Sequence, residues 1–140
     1  MLIWNQSTAP AFTPTPQTPP RFAWLGYDVT SMKPALRQSF VVPTDALQLN
    51  VMGYYQIQTD ESGCVCDYGR VQLDVAGNVA NLLEWSNQNA NSNWAFFSTY
   101  VNATPIAGQT VTLQLQADMD DGTNTSFYFD SMSVTANVCP

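Results

Sequence analysis

Residues 46–58, ALQLNVMGYYQIQ, alternate in character at every step. Leu47, Leu49, Val51, Gly53, Tyr55 and Ile57 fall on one side of an extended chain, and Gln48, Asn50, Met52, Tyr54, Gln56 and Gln58 on the other. This period of two predicts a long half-buried strand. VQLDV repeats it with Val71, Leu73 and Val75 inward, and TVTLQLQAD with Val111, Leu113, Leu115 and Ala117 inward. Further strands are expected at FAWLGYDV, ALRQSFVV, NVANLLEWS, WAFFSTYV and SFYFDSMSV, divided by Gly, Pro, Asn and Asp clusters that form turns. No segment carries sustained helical periodicity with caps. About eight short strands at regular spacing predict an all-β fold, a two-sheet antiparallel β-sandwich with jelly-roll or Greek-key connections.

The last of these runs, TNTSFYFDSMSV, breaks its own parity. Phe127 and Phe129 share a side, but a strict period of two puts Met132 and Val134 on the other, and Asp130 lies inside the apolar run. Two arrangements reconcile this: the strand is covered on both faces, or a bulge at Asp130–Ser131 resets the register so that all four apolar residues face one core. An unpartnered carboxylate there would be costly to bury.

Ahead of the strands, residues 8–20, TAPAFTPTPQTPP, hold five of the nine prolines with threonines between them. This composition favours an extended, semi-rigid spacer. Residues 1–20 are therefore read as an arm and 21–140 as one domain, long enough to bury a substantial core.

Composition narrows the function. Only 11% of residues are charged, whereas Ser, Thr, Asn and Gln number 46, so amides and hydroxyls wet the surface. From Val71 onward there is no Lys or Arg, and the net charge of −7 repels phosphate backbones. Nucleic acid is excluded as a partner, and no apolar run is long enough for a helical membrane span. The chain has no histidine, which removes the commonest general base and every His-dependent nucleophile system. Paired Asp-Thr-Gly or Asp-Ser-Gly segments of an aspartic protease are also missing. The reading is of a protein that is not an enzyme. The Lys-poor, Asn- and Thr-rich composition leans extracellular. Three cysteines leave at least one without a partner in the chain; the one-residue gap between Cys64 and Cys66 favours a bridge from one of them to Cys139.

The order of features (ALRQSFVVPTDALQLNVMGYYQI, Asp67 before VQLDV, Trp94 before AGQTVTLQLQADMD, then TSFYFDSMSV) resembles the jelly-roll modules appended to secreted bacterial hydrolases, both MAM-like domains and carbohydrate-binding modules. The resemblance spans about residues 22–136. It implies a structural calcium ion held by Asp130 of the last strand, together with an acidic residue near the domain start, a place that only Asp28 of RFAWLGYD occupies here. The alternative for Asp130 is to accept backbone N–H bonds at the bulge or to pair with Arg21, Arg37 or Arg70.

Aromatic side chains among amides are the material of sugar-binding surfaces, where rings cover apolar sugar faces and amides bond the hydroxyls. Tyr54, Tyr68, Trp85, Asn87 and Asn89 are the candidate ligand-binding residues, with EWSNQNANSNW the richest window. Two functions are expected from this. The first is a non-catalytic extracellular recognition or adhesion module for a polysaccharide or surface glycan. The second is a structural subunit that self-associates through its amino-terminal arm, with Leu2, Ile3 and Trp4 adding along a neighbour's sheet edge because they have no evident partner in the chain.

Overall fold

The computed structural model describes residues 2–27 and 32–140. Among these residues nine strands run in order: β1 (Ile3–Asn5), β2 (Arg21–Gly26), β3 (Ala35–Val41), β4 (Ala46–Thr59), β5 (Tyr68–Val75), β6 (Asn78–Ser86), β7 (Ala95–Asn102), β8 (Thr110–Asp118) and β9 (Thr125–Val138). They form two sheets, a five-stranded one ordered β1-β2-β9-β4-β7 and a four-stranded one ordered β3-β8-β5-β6, and every pairing is antiparallel. Chain order and sheet order together make a jelly-roll sandwich. All eight strands expected from alternation are present, and the ninth is the short β1.

Alternation places the core. Leu49, Val51 and Ile57 of β4, Phe127 and Phe129 of β9, and Ala23 and Leu25 of β2 face Val71 and Leu73 of β5 and Val111, Leu115 and Ala117 of β8. The inward set differs from a strict period of two at one end of β4. A register shift between Ala46 and Gln48 buries Ala46 and turns Leu47 out to solvent, because the extra residue moves everything before it to the opposite face.

The parity break in β9 is a bulge. Tyr54 pairs with Asp130 and Met52 with Ser133, so Ser131 and Met132 together oppose Gly53, and Ser131 takes a left-handed φ of 52°. Met132 and Val134 thereby join Phe127 and Phe129 on the core side. Gly53 is required opposite the bulge: a Cβ there would strike Met132 Sδ and lie 2.9 Å from Phe97 Cζ. The first half of β9 is also covered on its outer face. Tyr128 is fully buried there with Phe22 and Trp24, against Trp4, Ala9 and Trp94. Both arrangements expected for this strand therefore hold, each over its own half.

That outer cover is the arm. β1 pairs with β2 of the same chain, Ile3 opposite Ala23 and Trp4 opposite Phe22, and Leu2 packs on the core. The rings of Trp4 and Trp24 lie 5.1 Å apart. Residues 6–20 then cross the five-stranded sheet, with Phe12 stacked on Tyr27 at 4.9 Å and edge-on to Trp24 at 5.7 Å, and with Pro16 buried. The expectation that Leu2, Ile3 and Trp4 lack an intramolecular partner is thus corrected. Apolar rings on the outer face of β2 and β9 supply one, since they gain more by being covered than by facing water.

Cys64 pairs with Cys66, and Cys139 is free and exposed. This corrects the expected bridge to Cys139. Cys66 adjoins Asp67, which bonds Thr125 at the start of β9, whereas Cys139 follows the end of that 14-residue strand. The two ends lie roughly 40 Å apart at strand rise, while a disulfide needs Cα atoms within about 7 Å.

The two sheets come into close contact where Gly69 of β5 lies under the Phe127 ring. A Cβ on Gly69 would strike Phe127 Cδ1 and come within 2.8 Å of Cε1 and Cγ, and Phe127 is fully buried with no room to withdraw. Gly69→Ala is expected to destabilise the fold by about 1–3 kcal/mol, the usual cost of overpacking. A urea titration that finds the midpoint unchanged would contradict this packing.

Candidate functional site

Of the five residues expected to bind ligand, Tyr68, Trp85, Asn87 and Asn89 gather at one end of the four-stranded sheet, where Tyr68 pairs with Ser86, and Tyr54 stands apart on the five-stranded sheet. Trp85 stacks on Tyr55 between the sheets, with ring centroids 4.3 Å apart, and meets Phe97 at 5.4 Å; it packs as core. Asn87 is 2% exposed and holds the preceding loop: its Oδ1 accepts from the amides of Cys66 and Asp67, and its Nδ2 donates to Cys64 O. Asn89 caps the short 3-10 turn Asn87–Asn89, accepting from the Ser86 amide. Tyr68 lies on the same sheet, opposite Ser86, under the Arg70 guanidinium at 5.1 Å, with its hydroxyl donating to Val65 O. Only Tyr54 stands on an open face rich in rings.

That face is the outer side of the five-stranded sheet beyond the arm, and register builds it row by row. The first row is Phe96, Tyr54 and Asp130; the second Ser98, Met52 and Ser133; the third Tyr100, Asn50 and Thr135; the fourth Asn102, Gln48 and Asn137. Phe96 is 57% and Tyr100 70% exposed, far more than rings of this size keep without a use. They stand about 13 Å apart, four residues along one strand. Tyr54 meets Phe96 edge-on at 5.5 Å. Asn137 donates to Gln48 Oε1 at 3.1 Å, and Asn50 donates to Asn137 Oδ1 at 3.4 Å. Of these twelve residues, Asp130 alone carries a charge.

Asp130 is occupied by the arm. Its Oδ2 accepts from the Thr18 amide at 2.9 Å and its Oδ1 from the Ser131 amide at 2.6 Å. The Ser131 hydroxyl bonds both Gln17 Oε1 and Thr18 Oγ1. On the far side of the sheet, Trp94 Nε1 donates to Thr15 O at 2.7 Å. The arm is thus pinned at both margins and walls off one end of the rows. The bulge alternative for Asp130 holds: both carboxylate oxygens accept backbone amides, and Asp130 belongs to neither acidic group among the described residues that could hold a metal ion, so nothing in the structure supports the calcium role implied for it. Asp28 lies outside the described residues.

An acidic group that could hold a metal ion occurs elsewhere, where the β4–β5 and β8–β9 connections meet. Glu61, Asp67 and Asp120 bring carboxylate oxygens within 4.8 Å of one another. Asp67 is 0% exposed, taking the Thr125 hydroxyl at 2.5 Å and the Asp120 amide at 3.1 Å. Glu61 accepts from the amide and hydroxyl of Thr123, which lowers its pKa. Asp120 goes the other way: desolvation first, then the charges of Asp67 and Glu61, raise its pKa above the ordinary value. Asp120 Oδ1 and Asn124 Oδ1 are buried with no hydrogen-bond partner among the described residues. A second group, Glu61 with Cys64 and Cys66, shares one of these carboxylates.

The sequence carries a signal for Phe96 and Tyr100, since WAFFSTYV alternates with both on one side, but alternation marks the strand without saying which face stays wet. The acidic group had no such signal, because 59 residues separate Glu61 from Asp120 and only the fold joins them.

No family model and no curated protein sequence matches the chain. Its fold is shared with solved structures. TmCBM61, in complex with beta-1,4-galactotriose, superposes with a TM-score of 0.58 at 11% identity, over 86% of this chain and 74% of that one. The family 16 carbohydrate-binding module-2 gives 0.52 at 16% identity, over 85% and 79%. The C-terminal domain of EclA, a sugar-binding protein, gives 0.54 at 11% identity, over 94% and 89%. At these identities the likeness is one of fold, and the chain has the jelly-roll sandwich of carbohydrate-binding modules.

Replacing Asp130 by Ala removes the acceptor for two amides at one margin of the arm. Hydrogen exchange at the Thr18 and Ser131 amides is expected to accelerate at least about tenfold, as loss of a charged-acceptor bond of roughly 1.5–3 kcal/mol implies. Unchanged exchange would mean that the arm is held by its rings alone.

Proposed function

We propose that this protein is a non-catalytic carbohydrate-binding module, working outside the cell, that holds a polysaccharide or surface glycan on the open rows of its five-stranded sheet. The observation that carries the reading is the pair of exposed rings, Phe96 and Tyr100, on a face whose other residues, Tyr54, Met52 and Asp130 apart, are amides and hydroxyls. An exposed ring covers the apolar face of a pyranose, and the Gln48, Asn50, Asn102 and Asn137 amides can donate to and accept from its hydroxyls. Water loses little by leaving such rings, so the match favours a ligand that is itself half apolar. The sugar-binding proteins that share the fold support the same reading. Because the one charge of the rows, Asp130, is taken up by the arm, the ligand is a neutral glycan, and the net charge of −7 disfavours anionic ones.

Native affinity electrophoresis through gels containing galactan, xylan, mixed-linkage glucan or mannan tests this. At least one is expected to retard the protein, with alginate and heparin giving no retardation. The double variant Phe96→Ala, Tyr100→Ala should weaken binding at least about tenfold, or 1.4 kcal/mol, with an unchanged circular dichroism spectrum because both rings are exposed. Retardation that survives the double substitution would move the site elsewhere.

The acidic group is proposed as a calcium site that fixes the loops at one end of the sandwich. Three carboxylates are hard oxygen ligands, and calcium takes six to eight oxygens, the remainder of which backbone carbonyls and water can supply. Ligand binding to the folded state alone raises its stability by mass action. Calcium is expected to raise the melting temperature by several degrees, EDTA to reverse the rise, and Asp120→Asn to abolish it. A melting temperature indifferent to both calcium and EDTA would remove the ion from the account.

A further inference from the structure

Beside the bulge, the sandwich has an opening that the glycan reading does not use. β2 pairs with β9 only from Ser126 to Phe129, because the chain before Arg21 leaves the sheet for the arm. From Asp130 to Val138, β9 is paired on its β4 side alone among the described strands. The other sheet continues beneath this gap as β3 and β8, so core side chains stand open along it. The result is a cavity of about 400 Å³ whose apolar walls include Leu36, Leu113, Leu115, Phe129 and Met132. A second hollow of about 290 Å³ shares Gln38, Leu113 and Met132 with it and continues to Phe40 and Val134. Together they run beside β9 from Phe129 to Val134, roughly 16 Å of strand. The larger volume lies within the range of small-molecule sites, about 300–1,000 Å³.

Two cations, Arg21 and Arg37, line the cavity. Arg21 lies on the same side of β2 as Ala23 and Leu25, the side that faces the other sheet, and it lines the cavity. The chain has four cations. Arg70 pairs with Glu84 and Asp118, Lys33 pairs with Asp118, and Arg37 donates its Nε to Gln114. Neither Arg21 nor Arg37 forms an ion pair with any described residue, and of the two cations on the cavity Arg37 is the one held by Gln114. Asp130 also borders the cavity, but its two oxygens are turned to the Thr18 and Ser131 amides. An acyclic apolar tail can replace water along the leucines while its head meets the guanidinium, a charge-assisted contact with geometry suited to a carboxylate.

We propose that this groove binds a monocarboxylate amphiphile, a fatty acid of medium length, with its carboxylate on Arg21 and its chain laid between β9 and β3. The site is separate from the glycan face, since the groove opens between the sheets and the rings of Phe96 and Tyr100 stand on the outer surface.

Methyl and amide NMR of the full chain, titrated with decanoate, decanol or decyltrimethylammonium below their micellar concentrations, tests it. Decanoate is expected to shift the methyls of Leu36, Leu113, Leu115 and Met132 and to saturate with a Kd below about 1 mM. Decanol should bind at least about tenfold more weakly and the cation not measurably, because each lacks the charge-assisted pair. Arg21→Gln, at an exposed position, should reduce decanoate to the level of decanol, and Leu113→Trp, which fills the groove, should abolish both. No shift with decanoate, shifts confined to the Phe96–Tyr100 face, or an Arg21→Gln affinity equal to the parent's would each overturn the proposal. None of these outcomes bears on retention by polysaccharide gels, so the two sites stand or fall separately.

Discussion

The first half of β9 carries buried rings on both faces, and that is the constraint to which the rest of the molecule answers. Phe127 and Phe129 fill the space between the sheets, while Tyr128 points the other way, onto a surface it shares with Phe22 and Trp24. A single sandwich buries only the inner faces of its sheets, so this outer cluster needs a third layer. The Pro/Thr arm is that layer, and its stiffness lowers the entropy lost in laying it down. The bulge at Asp130–Ser131 then ends the doubly covered stretch. It returns Met132 and Val134 to the core and presents a carboxylate where the arm's backbone needs an acceptor.

From this follows the division of the outer face. Where the arm lies, rings are covered and the sheet is structural. Where it stops, the same sheet offers amides, hydroxyls and two exposed rings. The acidic connections gather at the end of the sandwich where β9 starts, and Cys139 lies beyond its other end. Charge is thus limited to the arm-bound Asp130 on the open rows and concentrated in the Glu61, Asp67 and Asp120 group.

Most of the architecture was legible in the sequence because alternation is a direct consequence of one face being wet and the other dry. The strands of residues 46–59 and 110–118 needed no other signal. Leu47 misled because a bulge shifts parity without marking itself in composition. Trp85 and Asn87 misled for a different reason. A ring among amides reads the same whether it stands in water or stacks on Tyr55, and an amide reads the same whether it meets a sugar or clamps a loop. Only the fold decides between these uses. The arm's first residues seemed to lack partners because their partner, the Phe22–Trp24–Tyr128 surface, is assembled from two strands about a hundred residues apart.

The central claim is that the open rows of the five-stranded sheet are where a neutral glycan lies. Chemical-shift mapping with a neutral oligosaccharide chosen from whichever polysaccharide retards the protein is the most direct check. The account predicts perturbations centred on Phe96, Ser98, Tyr100 and Asn50 and ending at the arm's wall near Gln17 and Thr18. Perturbations on the Tyr68–Arg70 face of the other sheet, with the rows silent, would contradict it.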